Sequence, residues 1–582
     1  MKIIKLVNLF ISLFAGVMQL PAQEREVKLN ILQTSDIHGN YYPYDFIRRR
    51  EAAGGLARIH TFVQQRREIY QDNVILLDNG DFLQGQPAAY YYNYIDTVAP
   101  HLAAEMMNFM GYNAGNMGNH DVETGNAVFN RWAGDCRFPV LGANMVDVAT
   151  GEPHFKPYEV LERDGVKIAV LGMITPAIPV WLSENLWAGL RFDDMEETAR
   201  RWMRVIREKE KPDVIVGIFH AGQDARLVGG NYREDASVEV ACKVPGFDVV
   251  LMGHDHGREC KKVRNVAGDS VLVMDPAAHG LVVSDVEVTL KLRDGKVIDK
   301  KVEGVLSDVK NCDVSGAFME RFAPEYKTVD EFVSKKIGVF TETISTRPAY
   351  FGSSAFVDLV HELQLAISGA DISLAAPLSY DTEIREGDVF VSDMFNLYKY
   401  ENMLYTMRLT GREIHGALEM SYSMWTNRMQ SPDDPLLLFR DTPRAGAKKA
   451  SFKNPSFNFD SAAGIVYEVD VTKPEGEKVT ILRMSDGRSF EMDKTYTVAV
   501  NSYRGNGGGE LLTKGAGIPQ EELKKRISSS TDKDLRYYLM RYIEQKKVIE
   551  PRALNQWKFV PEAWTVPASK RDFELLFGEN KK

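Results

Sequence analysis

The chain has 582 residues, too many for a single hydrophobic core, with 44% apolar and 26% charged residues and a formal net charge of −10. An acidic balance of this kind excludes a general grip on nucleic-acid polymers, which needs a basic field. It leaves room for a small anionic substrate, because a bound cation brings its own local positive charge.

Lys2 and Lys5 precede an apolar run from Leu6 to Leu20, and Pro21-Ala22-Gln23 then leads into Glu24-Arg25-Glu26. A basic start, a short apolar stretch and a small residue at the break predict a signal peptide over residues 1–22. The expected location is therefore the periplasm or the cell exterior. The run is short for a membrane span, and no later stretch reads as one.

From 27 to 312, apolar strand-like runs alternate with amphipathic stretches, which predicts a layered α/β domain. Strands are expected at 27–33, 74–78, 140–143, 166–173, 214–219, 249–252 and 271–274, with helices at 56–70, 100–110 and 196–209. Runs at 282–290 and 297–302 flank Asp294-Gly295 and read as a closing hairpin. Residues 313–336 are polar and helix-prone and are expected as a linker helix. A second α/β domain follows over 337–565, with helices at 356–368 and from 411, and strands at 371–376, 402–410, 465–471, 479–484 and 496–501. Residues 427–460 read as a long loop, and the chain from 517 onward reads as helical and polar, ending in a polar tail at 566–582. Trp557 and Trp564 are its expected packing anchors.

The four cysteines, Cys136, Cys242, Cys260 and Cys312, show no CxxC spacing, so a thiolate zinc site is not indicated. Two states stay open for them: disulfides, with Cys242 and Cys260 the nearest pair, or buried free thiols.

Five short runs carry chemistry: Asp36-Ile37-His38, Gly80-Asp81, Gly118-Asn119-His120-Asp121, His220-Ala221-Gly222 and Gly253-His254-Asp255-His256. Four of them follow apolar strands whose C-terminal ends should share one sheet edge, where open α/β sheets build their sites. Residues two apart on a loop, such as Asp36 and His38, can face one locus or straddle two. A carboxylate such as Asp81 can bridge two cations. Mixed nitrogen and oxygen donors suit divalent ions such as Zn or Mn. Two adjacent cations can clamp the attacking and leaving oxygens of a phosphoryl displacement. The other six histidines, His60, His101, His154, His279, His361 and His415, read as surface or satisfied core residues.

In this order, the motifs resemble those of the calcineurin-like metallophosphoesterases, with an expected αββα-type catalytic domain. The two-domain layout is similar to the secreted 5′-nucleotidase family, and nearest to its bifunctional 2′,3′-cyclic-nucleotide 2′-phosphodiesterase/3′-nucleotidase branch. The resemblance implies two divalent metal ions. Asp36, His38, Asp81 and His256 would hold one, and Asp81, Asn119, His220 and His254 the other. It implies His120 as the catalytic imidazole and a metal-bridging hydroxide as the nucleophile. Many 5′-nucleotidases pair that histidine with an Asp three residues on; here the position is Glu123, the expected partner of His120.

Tyr400-Glu401-Asn402 and Tyr503-Arg504-Gly505 lie on different loops of the second domain. Two aromatics so placed can stack a base, and an asparagine can meet a base edge or a sugar hydroxyl. The resemblance implies Tyr400 and Tyr503 as a base clamp with Asn402 beside them. The Gly-Gly-Ile-Arg run of many 5′-nucleotidases is absent; the same zone reads Ser379 to Arg385, leaving Arg385 as the candidate phosphate contact. The expected function is hydrolysis of 2′,3′-cyclic nucleotides or nucleoside monophosphates. Two alternatives stay open: a 5′-nucleotidase or nucleotide-sugar hydrolase, and a secreted nucleotide-binding protein without catalysis.

Overall fold

The computed structural model describes residues 24–441 and 450–578, so the expected signal peptide lies outside the described residues. In the N-terminal half, two sheets face each other. One has four strands in the order Lys296–Asp308, Val282–Arg293, Glu24–Thr34, Val74–Asp78. The other has six, in the order Arg258–Arg264, Ser270–Pro276, Val249–Leu251, Val214–His220, Val166–Ile174, Tyr158–Arg163.

The unbroken apolar runs follow from burial on both faces. Leu29, Ile31, Ile75 and Leu77 point inward and meet Ile168, Val170, Val216, Ile218 and Leu251 of the opposite sheet. Their neighbours Leu32 and Leu76 point outward, into a core shared with helices Leu56–Tyr70 and Leu102–Met110. On the far side, Leu171, Ile215 and Val250 pack beneath helices Met195–Val205 and Ser237–Lys243. The layers are therefore α, β, β, α.

Parallel pairing brings the strand ends together. Asn30–Thr34 lies beside Val74–Asp78, and Val214–His220 lies parallel to both of its neighbours. Buried side-chain amides tie the two sheets at this edge. Gln33 donates to the Met252 carbonyl at 2.7 Å, Asn79 to Phe219 at 2.9 Å and Asn116 to Ile218 at 3.2 Å.

The C-terminal half is built on a five-stranded sheet in the order Ser461–Ala463, Ile372–Ala375, Thr495–Asn501, Met403–Thr410, Ile527–Asp534. Helix Ala355–Ser368 packs in one core, and helix Gly411–Trp425 packs in another. The second helix starts where expected because Thr410 and Glu413 form a reciprocal cap.

Several expectations need correction. The 313–336 segment is two helices, Gly316–Arg321 and Ala323–Val333, and their Phe318, Phe322, Val329 and Val333 enter the N-terminal core. The 566–582 segment is not simply a polar tail. Helix Glu562–Phe577 continues through it, with Ala568, Leu576 and Phe577 buried in the C-terminal core. Ile527–Asp534, expected as helix, is a strand paired with Met403–Thr410. It forms the sheet edge and is mostly exposed, so it has no apolar alternation to reveal it. All four cysteines are free thiols. Among the described residues no helix is long and apolar enough to cross a membrane.

Candidate metal centre and active site

The shared strand edge gathers all seven proposed ligands. Asp36 and His38 follow Glu24–Thr34, Asp81 follows Val74–Asp78, His220 ends its strand, and His254 and His256 follow Val249–Leu251. Asn119 opens the short helix Asn119–Glu123 after a turn that begins with strand Gly115–Asn116. Asp36, His38, Asp81, His254 and His256 all have left-handed backbone, with φ between 48° and 78°. Non-glycine residues rarely adopt that conformation, and such strain collects at functional sites. Glycines admit the close approaches: a Cβ on Gly118 would lie 2.2 Å from Asp81 Oδ1, and one on Gly253 2.2 Å from Ser35 Oγ.

Two donor groups result. In one, His38 Nε2 faces His256 Nε2 at 3.0 Å, with Asp36 Oδ1 3.4 Å from His256. In the other, Asn119 Oδ1 lies 3.1 Å from His220 Nε2 and 2.8 Å from His254 Nδ1. Asp81 Oδ2 lies between the groups, 3.9 Å from His38 Nε2 and 3.2 Å from His220 Nε2. That oxygen is fully buried and has no hydrogen-bond partner. A buried carboxylate oxygen without a donor is costly unless a cation answers it. The donor set therefore fits a pair of divalent ions, with Asp81 reaching both.

The charges respond to one another. Burial opposes the ionisation of Asp36 and Asp81, yet His256 beside the first and His220 beside the second hold both carboxyls below the usual range. Burial depresses His38. It also opposes protonation of His220, but Asp81 overrides it and raises that imidazole to about 10.

His120 stands over the first group, its ring centroid 5.4 Å from that of His38. Its backbone N–H donates to Asp81 Oδ1 at 2.8 Å, and its Nδ1 lies 2.5 Å from Glu123 Oε2. The extra methylene of Glu123 is thus accommodated within the one-turn helix. With Nδ1 engaged, Nε2 is left as the working nitrogen. Burial lowers the His120 pKa, but Asp81 and Glu123 together bring it up to about 9. Asp121 plays a different part. Its carboxylate accepts from the backbone of Asp81, Phe82, Leu83 and Gly118, all at 2.8 Å, and so clamps the two loops together.

The C-terminal half approaches this site. The Tyr400 ring lies 6.5 Å from His120 and nearly parallel to it, at 9°. Tyr503 lies farther back and connects through Phe457. Asn402 is buried beside them. Arg385 is not brought to the site: its side chain is 87% exposed and pairs with Glu383, in a separate surface cleft with Arg48 and Asp388.

Residues 29–258 match the family model for calcineurin-like phosphoesterase, and residues 336–514 match that for the 5′-nucleotidase C-terminal domain. The chain joins these two domains. It thus pairs a calcineurin-like phosphoesterase domain with a 5′-nucleotidase C-terminal domain, and the first carries groups that could hold metal ions. It is 28% identical over 601 residues to the trifunctional nucleotide phosphoesterase YfkN of Bacillus subtilis, covering 93% of this chain but only 39% of that protein. With a 2′,3′-cyclic-nucleotide 2′-phosphodiesterase/3′-nucleotidase of Yersinia enterocolitica it shares 25% identity, over 94% of this chain and 91% of the relative. A provisionally assigned 5′-nucleotidase of Staphylococcus aureus has the same fold, with a TM-score of 0.75 at 21% identity, covering 91% of this chain and 99% of that one.

Four residues at the phosphoesterase site went unread in the sequence. His279 is exposed, as its reading as a surface residue expects, but its ring also lies 5.6 Å from that of His38 and 5.8 Å from that of His256, at the rim of the first donor group. A sequence signal was available, since it too follows an apolar strand, Ser270–Pro276; in the structure its backbone is left-handed like the ligands', with φ +64°. Glu234 Oε1 lies 3.1 Å from His254 Nε2, with Asp235 at 3.8 Å, orienting that imidazole from behind. Trp181 stacks on His254 at 5.5 Å. Of the remaining histidines, His60, His101, His154, His361 and His415 are satisfied by hydrogen bonds, as expected.

Proposed function

We propose that the chain is an exported hydrolase of nucleotide phosphoesters, acting on 2′,3′-cyclic nucleotides and nucleoside 3′-monophosphates in preference to 5′-monophosphates. The observation that carries this reading is the aromatic wall that the second domain sets against the first. Tyr400 stands face to face with His120 at 6.5 Å, so a base held by the one keeps its phosphate beside the other. The names of the full-length relatives support the nucleotide class and the cyclic and 3′ esters. The exposure of Arg385, which pairs with Glu383 away from the metal-ligand groups, removes that residue as the contact for a terminal phosphate.

In this reading Asp36, His38, Asp81 and His256 would hold one cation, and Asp81, Asn119, His220 and His254 the other. When bound, the cations would neutralise the phosphoryl oxygens and acidify water. The chain's own groups do the rest. Glu123 fixes the His120 tautomer, and His120 Nε2 holds a proton at the reacting ester, stabilising developing charge and supplying the leaving oxygen. Tyr400 and Tyr503 grip the base and Asn402 its edge or the sugar. Residues 27–333 form the catalytic domain and 336–577 the recognition domain.

Turnover of a 2′,3′-cyclic, a 3′- and a 5′-monophosphate of one nucleoside should be followed on purified mature protein by chromatography of substrate and products, since opening the cyclic ester yields a monophosphate and not free phosphate, alongside metal content. The expected order of kcat/KM is cyclic or 3′ above 5′. A 5′ preference would hand the reading to the alternative, and no turnover at full metal loading would remove it.

A further inference from the structure

The two tyrosines of the proposed base clamp are joined by a third ring. Phe457 meets Tyr400 at 6.5 Å and 82°, and meets Tyr503 at 6.2 Å and 83°. It stands nearly perpendicular to both walls and is only half-buried, so part of its ring faces open space.

Its position is fixed from behind. Phe457 opens out of the turn Ser456–Asn458 within the long 427–460 loop. Arg504, the residue after Tyr503, donates to the Phe457 carbonyl at 3.1 Å and to Asn458 Oδ1 at 3.3 Å. It also makes a two-pronged pair with Asp460, both contacts at 2.8 Å, with its side chain only 2% exposed. Planar bidentate pairing of this kind fixes geometry as well as charge. The glycine run completes the lock. A Cβ on Gly508 would lie 2.5 Å from the Tyr503 ring, and one on Gly509 2.2 Å from Asn458 Oδ1. The loops carrying Phe457 and Tyr503 are thus one rigid unit.

We propose that Phe457 is the end wall of the base slot, limiting how deep a base enters between Tyr400 and Tyr503, with Arg504 as its positioning residue. The inference rests on the nucleotide reading above. An edge-on ring at the slot's closed end adds contact area and excludes water from a stacked base without hydrogen-bond readout, so it serves any planar base.

The test compares KM for adenosine 3′-monophosphate with KM for glycerol 2-phosphate, a secondary phosphate ester with no base. The variants are Phe457→Leu and Phe457→Met, which lose the ring at similar volume, Phe457→Tyr, which keeps it, and Tyr503→Ala. The two ringless variants should raise the ratio of the two KM values about 5- to 10-fold, the weaker end of base–aromatic stacking, while Phe457→Tyr stays within about twofold. If all three Phe457 variants match wild type while Tyr503→Ala raises the ratio, the end wall is refuted and the nucleotide reading stands. If Tyr503→Ala leaves the ratio unmoved as well, the nucleotide reading fails and takes the end wall with it.

Discussion

Replacing Glu123 by Gln removes one charge and almost no volume. Glu123 Oε2 sits 2.5 Å from His120 Nδ1, and its side chain is only 6% exposed. A hydrogen bond to a charged group in such a place contributes about 1.5–3 kcal/mol. If that stabilisation is realised as His120 gains or holds its proton, its loss lowers kcat by roughly 10- to 100-fold, at about 1.4 kcal/mol per decade. The pH profile gives a second readout. Burial lowers the His120 pKa, and Glu123 is one of three carboxylates, with Asp81 and Glu401, that raise it to about 9, so the variant's pKa must be lower. Activity that needs protonated His120 persists below that pKa and falls above it. The alkaline limb of kcat should therefore move to lower pH in Glu123→Gln. Steady-state kinetics from pH 6 to 10, with metal content measured on the same samples, would show both effects. A variant with equal metal, kcat within twofold of wild type and an unmoved alkaline limb would refute the assignment of Glu123 to His120.

Asp81→Asn takes the charge from the carboxylate between the two donor groups. Bound metal should fall from about two per chain to one or less and kcat by at least about 100-fold, read by elemental analysis and phosphate release. Away from the site, Lys478 is 1% exposed and donates to the Thr426 carbonyl and hydroxyl and to the Asn427 carbonyl. Burial lowers its pKa to about 8, so the unfolded chain binds this proton more tightly than the folded one. Its contribution to stability is complete above the unfolded value near 10.5 and is lost as pH falls towards 8, on the order of 3 kcal/mol in all. Melting of wild type should gain on Lys478→Met as pH rises from 8 to 10; parallel pH dependence of the two would contradict the shift.

The candidate metal ligands other than Asn119 were legible because each sits within a few residues of an apolar strand end, a local pattern. Asp36, Asp81, His220, His254 and His256 could be found that way without knowing how the strands pair. His279 follows the same strand-end pattern, yet it is exposed as a surface residue should be and reaches only the rim of the first donor group. Glu234, Asp235, Trp181 and Phe457 come to their positions through tertiary packing, from short elements and their ends with no local signature in the sequence. The strand Ile527–Asp534 escaped for the opposite reason, since an exposed edge strand carries no burial pattern to read. Arg385 shows the converse hazard, a plausible residue in the right stretch whose backbone aims it at solvent.

Each donor group draws on both sheets of the N-terminal sandwich. Asp36 and His38 come from the four-stranded layer and His256 from the six-stranded one, while Asp81 and His220 divide in the same way. A cation in either position would act as a rivet across the seam between layers. Neither layer alone could make a site, and sliding one past the other by a residue would part both sets of ligands at once. Loading the ions would thus fasten the architecture as well as arm the chemistry, and stripping them would loosen the seam first.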